Sequence, residues 1–368
     1  MASSEPTTSI TAFARLVPTV DQTISGNLVF VQKDGSVTIS LELTGAAPNS
    51  THGFHLHGFG DTSDNKGANM FGHFNPTGVP HGCPEAGQNS PIQLKTGFHL
   101  GDLGSITADE SGSVKQSWIS TELSLDDASA KGFVLGRGVI VHSAVDDCTT
   151  QPTGNSGARL AQGVITTGEG NAFTVKNVAT SSKDNAIAVF DGKVVSGTVI
   201  AKKAAASDDF AFLYNLTGLP ESTDFVVGVN GYTGGKECKD QLFNIKSDAK
   251  GAAAGSSSAS GFAPGLASIL GQTLLIEKAD CKPFATSPIG ARNATLDAAP
   301  APPATASPVP PSSGGSATTS ATGTEATTAG KSTKSYAQDP RTLLSETPRQ
   351  ASVGASLMLV IGAALLLL

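Results

Sequence analysis

GFHLHGFGD spans Gly53–Asp61, GHFNPTGVPHGC spans Gly72–Cys83 and FHLGDLG spans Phe98–Gly104. With His52 just before them, these stretches hold six of the chain's seven histidines: His52, His55, His57, His73, His81 and His99. The seventh, His142, lies in GRGVIVHSAVDDC, Gly136–Cys148. His55 and His57 alternate with Phe54 and Leu56, the pattern of a strand. On a strand, residues i and i+2 point to one face, so both imidazoles can converge on one ion. His73, His81 and His99 sit in Gly/Pro/Asn-rich loop sequence, and Asp102 follows His99 by three. Three imidazoles and a carboxylate make a closed tetrahedral set suited to zinc. An all-imidazole set from His55, His57 and His142 suits copper, with His73 able to reach either ion. His52 reads as a loop residue and Arg137 as a structural surface charge.

Outward from this centre the pattern is that of short strands. Ile24–Gln32 and Ser36–Leu43 alternate apolar and polar residues around Lys33-Asp34-Gly35, a hairpin signal. The span from Gly58 to Gly101 is irregular. Strand-like segments recur at Ser105–Thr107, Ser113–Ser120, Gly138–His142 and Leu160–Ile165, which predicts an antiparallel sandwich or barrel. Charged residues make up 15% and aromatic residues 5% of the 368-residue chain, which also favours many strands and turns over helices. A net charge of −7 speaks against a nucleic-acid partner. The four cysteines, Cys83, Cys148, Cys238 and Cys281, form no Cys-x-x-Cys and favour disulfides over a thiolate metal site. Sequons stand at Asn49, Asn215 and Asn293 and, with paired cysteines, point to secretion as a glycoprotein.

After a linker at about 169–184, part of the pattern repeats. Val195-Ser-Gly-Thr-Val-Ile200 echoes Ile24-Ser-Gly-Asn-Leu-Val29, and Leu216-Thr-Gly218 echoes Leu43-Thr-Gly45. Gly231-Tyr232 falls where Gly58-Phe59 did, so Gly228 and Asn230 replace His55 and His57. Gly271–Glu277 echoes Gly136–His142, with Glu277 at the histidine's place. From about Leu296 to Ala337 the chain is Ala/Pro/Ser/Thr/Gly-rich and cannot bury enough surface to fold; it reads as an extended stalk. A polar spacer, Gln338–Gln350, and an uncharged apolar end, Val353–Leu368, have the layout of a GPI-attachment signal, Ser345 being one candidate site. A tail-anchored membrane helix is the competing reading. Residues 1–7 carry no secretory signal, and the expectation is that a start preceding this sequence supplies it.

GFHLHGFGD, GHFNPTG, HLGDLG, VIVHSAVDD and TGNSGARLAQGVI resemble, in order, the signature stretches of the copper/zinc superoxide dismutases, over about residues 8–168. The resemblance implies an all-β chain with a Greek-key β-barrel catalytic domain at 8–168. A degenerate domain of the same type without metal ligands follows at 184–288, then a low-complexity stalk and spacer at 296–350 and a hydrophobic tail at 353–368. It implies copper on His55, His57, His73 and His142, and zinc on His73, His81, His99 and Asp102, with His73 bridging as imidazolate. Asp146 matches a carboxylate that accepts from one ligand histidine of each metal, and Arg159 an arginine that draws a small anion to copper. The implied reaction turns superoxide into dioxygen and hydrogen peroxide. The repeat further suggests the pairs Cys83–Cys148 and Cys238–Cys281.

The chain departs from the family pattern in several places. Gln162 stands where a disulfide cysteine belongs, and Asp61–Gly72 has no cysteine for its partner. The gap between His81 and His99 is long. The loop Ser143–Ala158 carries Asp146 and Asp147 but no Lys or Arg, which predicts weak steering of the substrate anion. The expectation is therefore a superoxide dismutase at the cell surface, attached through its C-terminal lipid anchor or tail, as a homodimer or with its two domains paired within the chain. Alternatives are a copper-only dismutase, a non-catalytic metal-binding or adhesion module, and a copper chaperone. The last is disfavoured by the lack of any Cys-x-Cys or Cys-x-x-Cys.

Overall fold

The computed structural model describes residues 9–84, 91–94, 96–167, 175–176, 185–192, 194–203, 210–230, 238, 241–259 and 268–297. The polar start, most of the linker, the Gly231-Tyr232 echo, the stalk beyond Asp297, the spacer and the apolar tail lie outside these residues. No helix among the described residues is long and apolar enough to cross a membrane.

Nine strands form the first sheet: β1 (Ile10–Pro18), β2 (Ser25–Lys33), β3 (Ser36–Thr44), β4 (Thr51–His57), β5 (Ile92–Gln93), β6 (Asp102–Thr107), β7 (Val114–Ser120), β8 (Gly138–His142) and β9 (Arg159–Thr166). Their order is β5-β7-β3-β2-β1-β9-β8-β4-β6, and the ends approach at β6 and β7, so the sheet rolls into a barrel. The β2–β3 hairpin turns at Asp34 (φ 50°) and Gly35 (φ 78°), the two left-handed residues of a type I′ turn whose twist matches its strands. In β3, Val37, Ile39, Leu41 and Leu43 are buried while Ser40 and Glu42 face water, the period-2 pattern of a half-buried strand. The interior is filled by Phe30, Phe54, Trp118 and the aliphatics around them. Phe54 stacks on Trp118 with centroids 5.4 Å apart, and the Trp118 indole N–H donates to the Leu103 carbonyl at 3.0 Å. Each such large side chain contributes about 1.5–3 kcal/mol on full burial.

A second barrel follows: β10 (Asn185–Asp191), β11 (Ser196–Lys203), β12 (Phe210–Thr217), β13 (Asp224–Val229), β14 (Gln241–Lys246), β15 (Ala253–Ala259), β16 (Thr273–Glu277) and β17 (Pro283–Arg292). Its order, β14-β13-β16-β17-β10-β11-β12-β15, is the first barrel's read strand for strand, β5 being the addition. The register agrees too. His55 pairs with Ile140, and Gly228 with Leu275, as the sequence echo requires. The last strand runs past the expected boundary at 288, and a 3-10 turn at Ala294–Asp297 extends the folded part into what the composition assigns to the stalk. Asp297 accounts for this, because it binds Arg292 and Asn185.

The two barrels pack through a reciprocal contact. Gly136 N–H donates to Ile165 O at 2.8 Å, and Gly271 N–H to Ile289 O at 2.7 Å. Across the seam, Ala291 N–H donates to Gly136 O and Thr167 N–H to Gly271 O, each at 2.7 Å. The same set of bonds made in both directions is the signature of a local two-fold axis. Gly136 (φ 74°) and Gly271 (φ 73°) sit on this axis with left-handed backbones, and a Cβ on either would come within 2.9 Å of a leucine Cβ of the other barrel. Disulfides join Cys83 to Cys148 and Cys238 to Cys281, as expected.

Candidate metal centre

β4 is buried on both faces. Phe54 and Leu56 enter the core, while His55 and His57 face the opposite side, beneath the loops that follow β4 and β8. Those loops are tied to β4 by its backbone: Phe74 N–H donates to Leu56 O, Leu56 N–H to Gly101 O, and Gly53 N–H to Ala144 O. They bring in His73, His81 and His99, and β8 ends on His142. The result is two buried donor groups that share His73: His55, His57, His73 and His142, and His73, His81, His99 and Asp102. Within each group the ligand atoms lie within 4.8 Å of one another. A third grouping, His81, Cys83 and Asp146, offers no thiolate because Cys83 is in a disulfide.

The imidazoles are oriented from behind. His57 Nδ1 is 2.8 Å from Phe71 O, and His142 Nδ1 is 3.4 Å from Gly157 O. Asp146 reaches His55 Nε2 at 2.8 Å with one oxygen and His81 Nε2 at 2.9 Å with the other. That leaves His57 Nε2 and His142 Nε2 facing each other at 3.3 Å. His55 Nδ1, His73 Nε2 and His99 Nδ1 are buried without a hydrogen-bond partner. Asp102 oxygens stand 2.8, 3.0 and 3.2 Å from Nδ1 of His73, His81 and His99. Donors at the corners of a tetrahedron with arms of about 2.0–2.1 Å are about 3.3–3.4 Å apart; His57 Nε2 and His142 Nε2 have that spacing, while Asp102 is drawn in to hydrogen-bond distance of His73 and His81. Carboxylates and carbonyls behind ligand histidines fix tautomer and ring direction, which is what Asp146 and Phe71 O do here.

The electrostatics separate the two groups. Burial pushes His55 down to about 4 and His142 to about 2, and holds His57 well below the usual imidazole range, with Arg159 adding to the effect. All three present neutral nitrogens at neutral pH, the form a metal needs. Burial also disfavours the charged form of His81, but hydrogen bonds to Asp102 and Asp146 outweigh it and carry the group up to about 9. Hydrogen bonds from His73, His81 and the Gly82 N–H hold Asp102 at about 2 against its burial. The Asp102 group is therefore the more acidic environment and the His142 group the neutral, all-nitrogen one.

Arg159 begins β9, in register with His142 on β8. Its guanidinium donates to the carbonyls of Gly67 and Phe71. Phe71 O thus serves both Arg159 and His57, from a residue with φ 57° and ψ −144° where a side chain is strained. Two readings of the sequence change. His52 is not a loop residue: it lies in β4, buried, between Ser50 Oγ at 2.8 Å and His142 O at 2.8 Å. Arg137 is not a free surface charge: it is half-buried, donates to Gly58 O at 2.6 Å and covers the Phe74 ring at 5.2 Å.

Residues 24–165 match the sequence profile of the copper/zinc superoxide dismutases (SODC). A superoxide dismutase [Cu-Zn] of Paramecium bursaria Chlorella virus 1 is 32% identical over 171 residues, covering 45% of this chain and 84% of the relative. The chain belongs to the copper/zinc superoxide dismutase family. A second relative, the superoxide dismutase [Cu-Zn] of Candida albicans, is 37% identical over 154 residues, covering 39% of this chain and 91% of its own length. A solved structure described as the clock protein EA4 is 33% identical, with a TM-score of 0.36, 45% of this chain and 98% of that chain being covered.

Within a superoxide dismutase frame, several parts of the site carry no sequence signal. The acceptors of Arg159 are backbone carbonyls, which any residue offers. Gln151 pins the zinc-type loop, accepting from His81 N–H at 2.8 Å and donating to His81 O at 3.0 Å. Only its place in the loop after Asp146 could have drawn attention to it. The sequon residues Asn49 and Asn215 are exposed and Asn293 is half-buried.

Proposed function

We propose that the chain disproportionates superoxide at the cell surface, with copper held by His55, His57, His73 and His142 and zinc by His73, His81, His99 and Asp102. The observation that carries this reading is the pair of buried donor groups joined at His73, with Arg159 beside the all-imidazole one. Copper bound there supplies a one-electron couple, so that one superoxide leaves as dioxygen and the next as peroxide. Arg159, permanently charged and forked, attracts and orients the anion. His73 holds and releases a proton at Nε2, the buried atom left without a partner, while its Nδ1 faces Asp102 in the zinc-type group. Asp146 keeps His55 and His81 aligned. Zinc has a structural and electrostatic part.

The second barrel is read as a metal-free duplicate of the first, supported by its identical strand order and by Gly228, Asn230 and Glu277 at ligand positions. Cell-surface attachment rests on the GPI-signal layout of residues 338–368, and glycosylation on the sequons at Asn49, Asn215 and Asn293. Release of the cell-bound protein by a phosphatidylinositol-specific phospholipase tests the anchor; retention points to a membrane-spanning tail.

The test of the activity is metal content and superoxide dismutation by the whole chain beside His142→Ala and Arg159→Ala. One copper and one zinc are expected, with activity abolished by His142→Ala. Arg159→Ala should keep both metals and lose about tenfold in kcat/KM, the scale of steering by a site charge. Turnover with copper alone would make it a copper-only dismutase, and metals without turnover a binding module.

A further inference from the structure

We infer that Arg292 of the second barrel is a positioning residue for the metal centre of the first. It acts through the loop that holds Arg159 in place. Arg292 closes β17, and its guanidinium donates to Asp61, whose side chain is fully buried in the loop after β4. Asp297 braces it from the other side, accepting from Nε at 3.0 and 3.1 Å. Asp61 passes the contact on: its Oδ1 accepts from Ser63 N–H at 2.9 Å and from Ser63 Oγ at 2.5 Å. Ser63 Oγ in turn accepts from Asn69 at 2.9 Å. The loop so braced presents the carbonyls of Gly67 and Phe71 to Arg159, and that of Phe71 to His57.

A second set of contacts runs in parallel. Phe59 packs against the core of the second barrel and meets the Phe71 ring edge-on at 5.4 Å. Gly60 N–H donates to Ala291 O at 3.0 Å, and a Cβ on Gly290 would lie 1.9 Å from Gly60 O, so the two backbones touch. Loop 58–72 is thus held at its base by the second barrel, and its far end carries the strained carbonyl that orients both a copper-type ligand and the anion guide. The bond is one-sided. By the offsets that relate the barrels, the positions equivalent to Asp61 and Arg292 are Gly234 and Gly168. The metal-free barrel therefore contributes to the chemistry of the other without touching a ligand.

The inference rests on the dismutase reading only in its second measurement. The first is amide hydrogen exchange on the metal-free whole chain. Arg292→Ala should speed exchange within residues 58–72 and leave β12 and β15 unchanged. The second is azide binding to the copper-loaded chain. Azide affinity should fall about two- to thirtyfold, the range for coupling through packed contacts, with copper and zinc content unchanged. Asp61→Asn should give the same pair of effects, and Arg292→Lys should restore only part, because one ammonium nitrogen lacks the fixed span between Nε and Nη that reaches both Asp297 and Asp61. If Arg292→Ala does not fold, the other two variants decide. Unchanged exchange in 58–72 would overturn the clamp. Faster exchange with unchanged azide affinity would overturn its bearing on Arg159. Failure of the dismutase reading itself would appear differently, as no azide binding by the unaltered chain.

Discussion

Gly154 shows how tightly single residues are fitted around the metal centre. Its φ is 64°, and a Cβ there would lie 1.9 Å from Asp146 Oδ1 and 2.6 Å from His81 Nε2. Gly154→Ala should therefore displace Asp146 from both His55 and His81. The expected outcome is a stability loss of about 1–3 kcal/mol from the strained backbone. Affinity for both metals should also fall, by roughly 10–100-fold as when a ligand's supporting carboxylate is lost. Thermal melts and competition with a chelator measure the two. At this scale the sequence is informative about side chains and silent about backbone. His55, His57, His73, His81, His99, His142 and Asp102 announce themselves by residue type and spacing. The carbonyls of Phe71 and Gly67 do not, and neither does the buried role of His52, which depends on β4 starting at Thr51.

Among the elements, the loops after β4 and β8 are joined by the Cys83–Cys148 bridge across 65 residues. Closing a loop of that length is worth about 4 kcal/mol in the chain-entropy account. Replacing both cysteines by serine should lower stability by about that amount in denaturant melts. It should also weaken zinc more than copper, because the bridge lies next to His81 and Asp146 rather than His57. Removing both metals should lower Tm and speed hydrogen exchange at 72–84, 98–102 and 143–158, while the second barrel's strands exchange as before. The strands themselves were legible. Alternation in β2 and β3 and the Asp34-Gly35 turn place them within a residue or two of their observed ends. β5 was not, since two residues in an irregular span carry no period. The end of β17 does not show in the sequence because Pro288–Arg292 is edged by the same small residues that fill the stalk; pairing with β10 and the bonds of Arg292 to Asp61 and Asp297 hold it in place.

For the whole molecule, charge and pairing matter most. The chain carries −7 overall, and the loop Ser143–Ala158 holds Asp147, kept ionised by bonds from Thr149 and Thr150, with no cation of its own. An anionic substrate therefore meets little long-range attraction apart from Arg159. We expect kcat/KM to change by less than about twofold between low and physiological salt, where a steered enzyme would slow markedly. Stopped-flow decay of superoxide across that range decides it, and a steep fall would show an attractive field from other residues. The repeat in the sequence forecast two barrels but left open whether they pair. Their reciprocal bonds at Gly136 and Gly271 answer that within residues 9–297. Because both halves of that seam belong to one polypeptide, their association is a first-order event, set by a tether rather than by how many molecules are present. A pair assembled from separate subunits comes apart when diluted; here the brace on loop 58–72 would survive in the most dilute sample as well as in a concentrated solution.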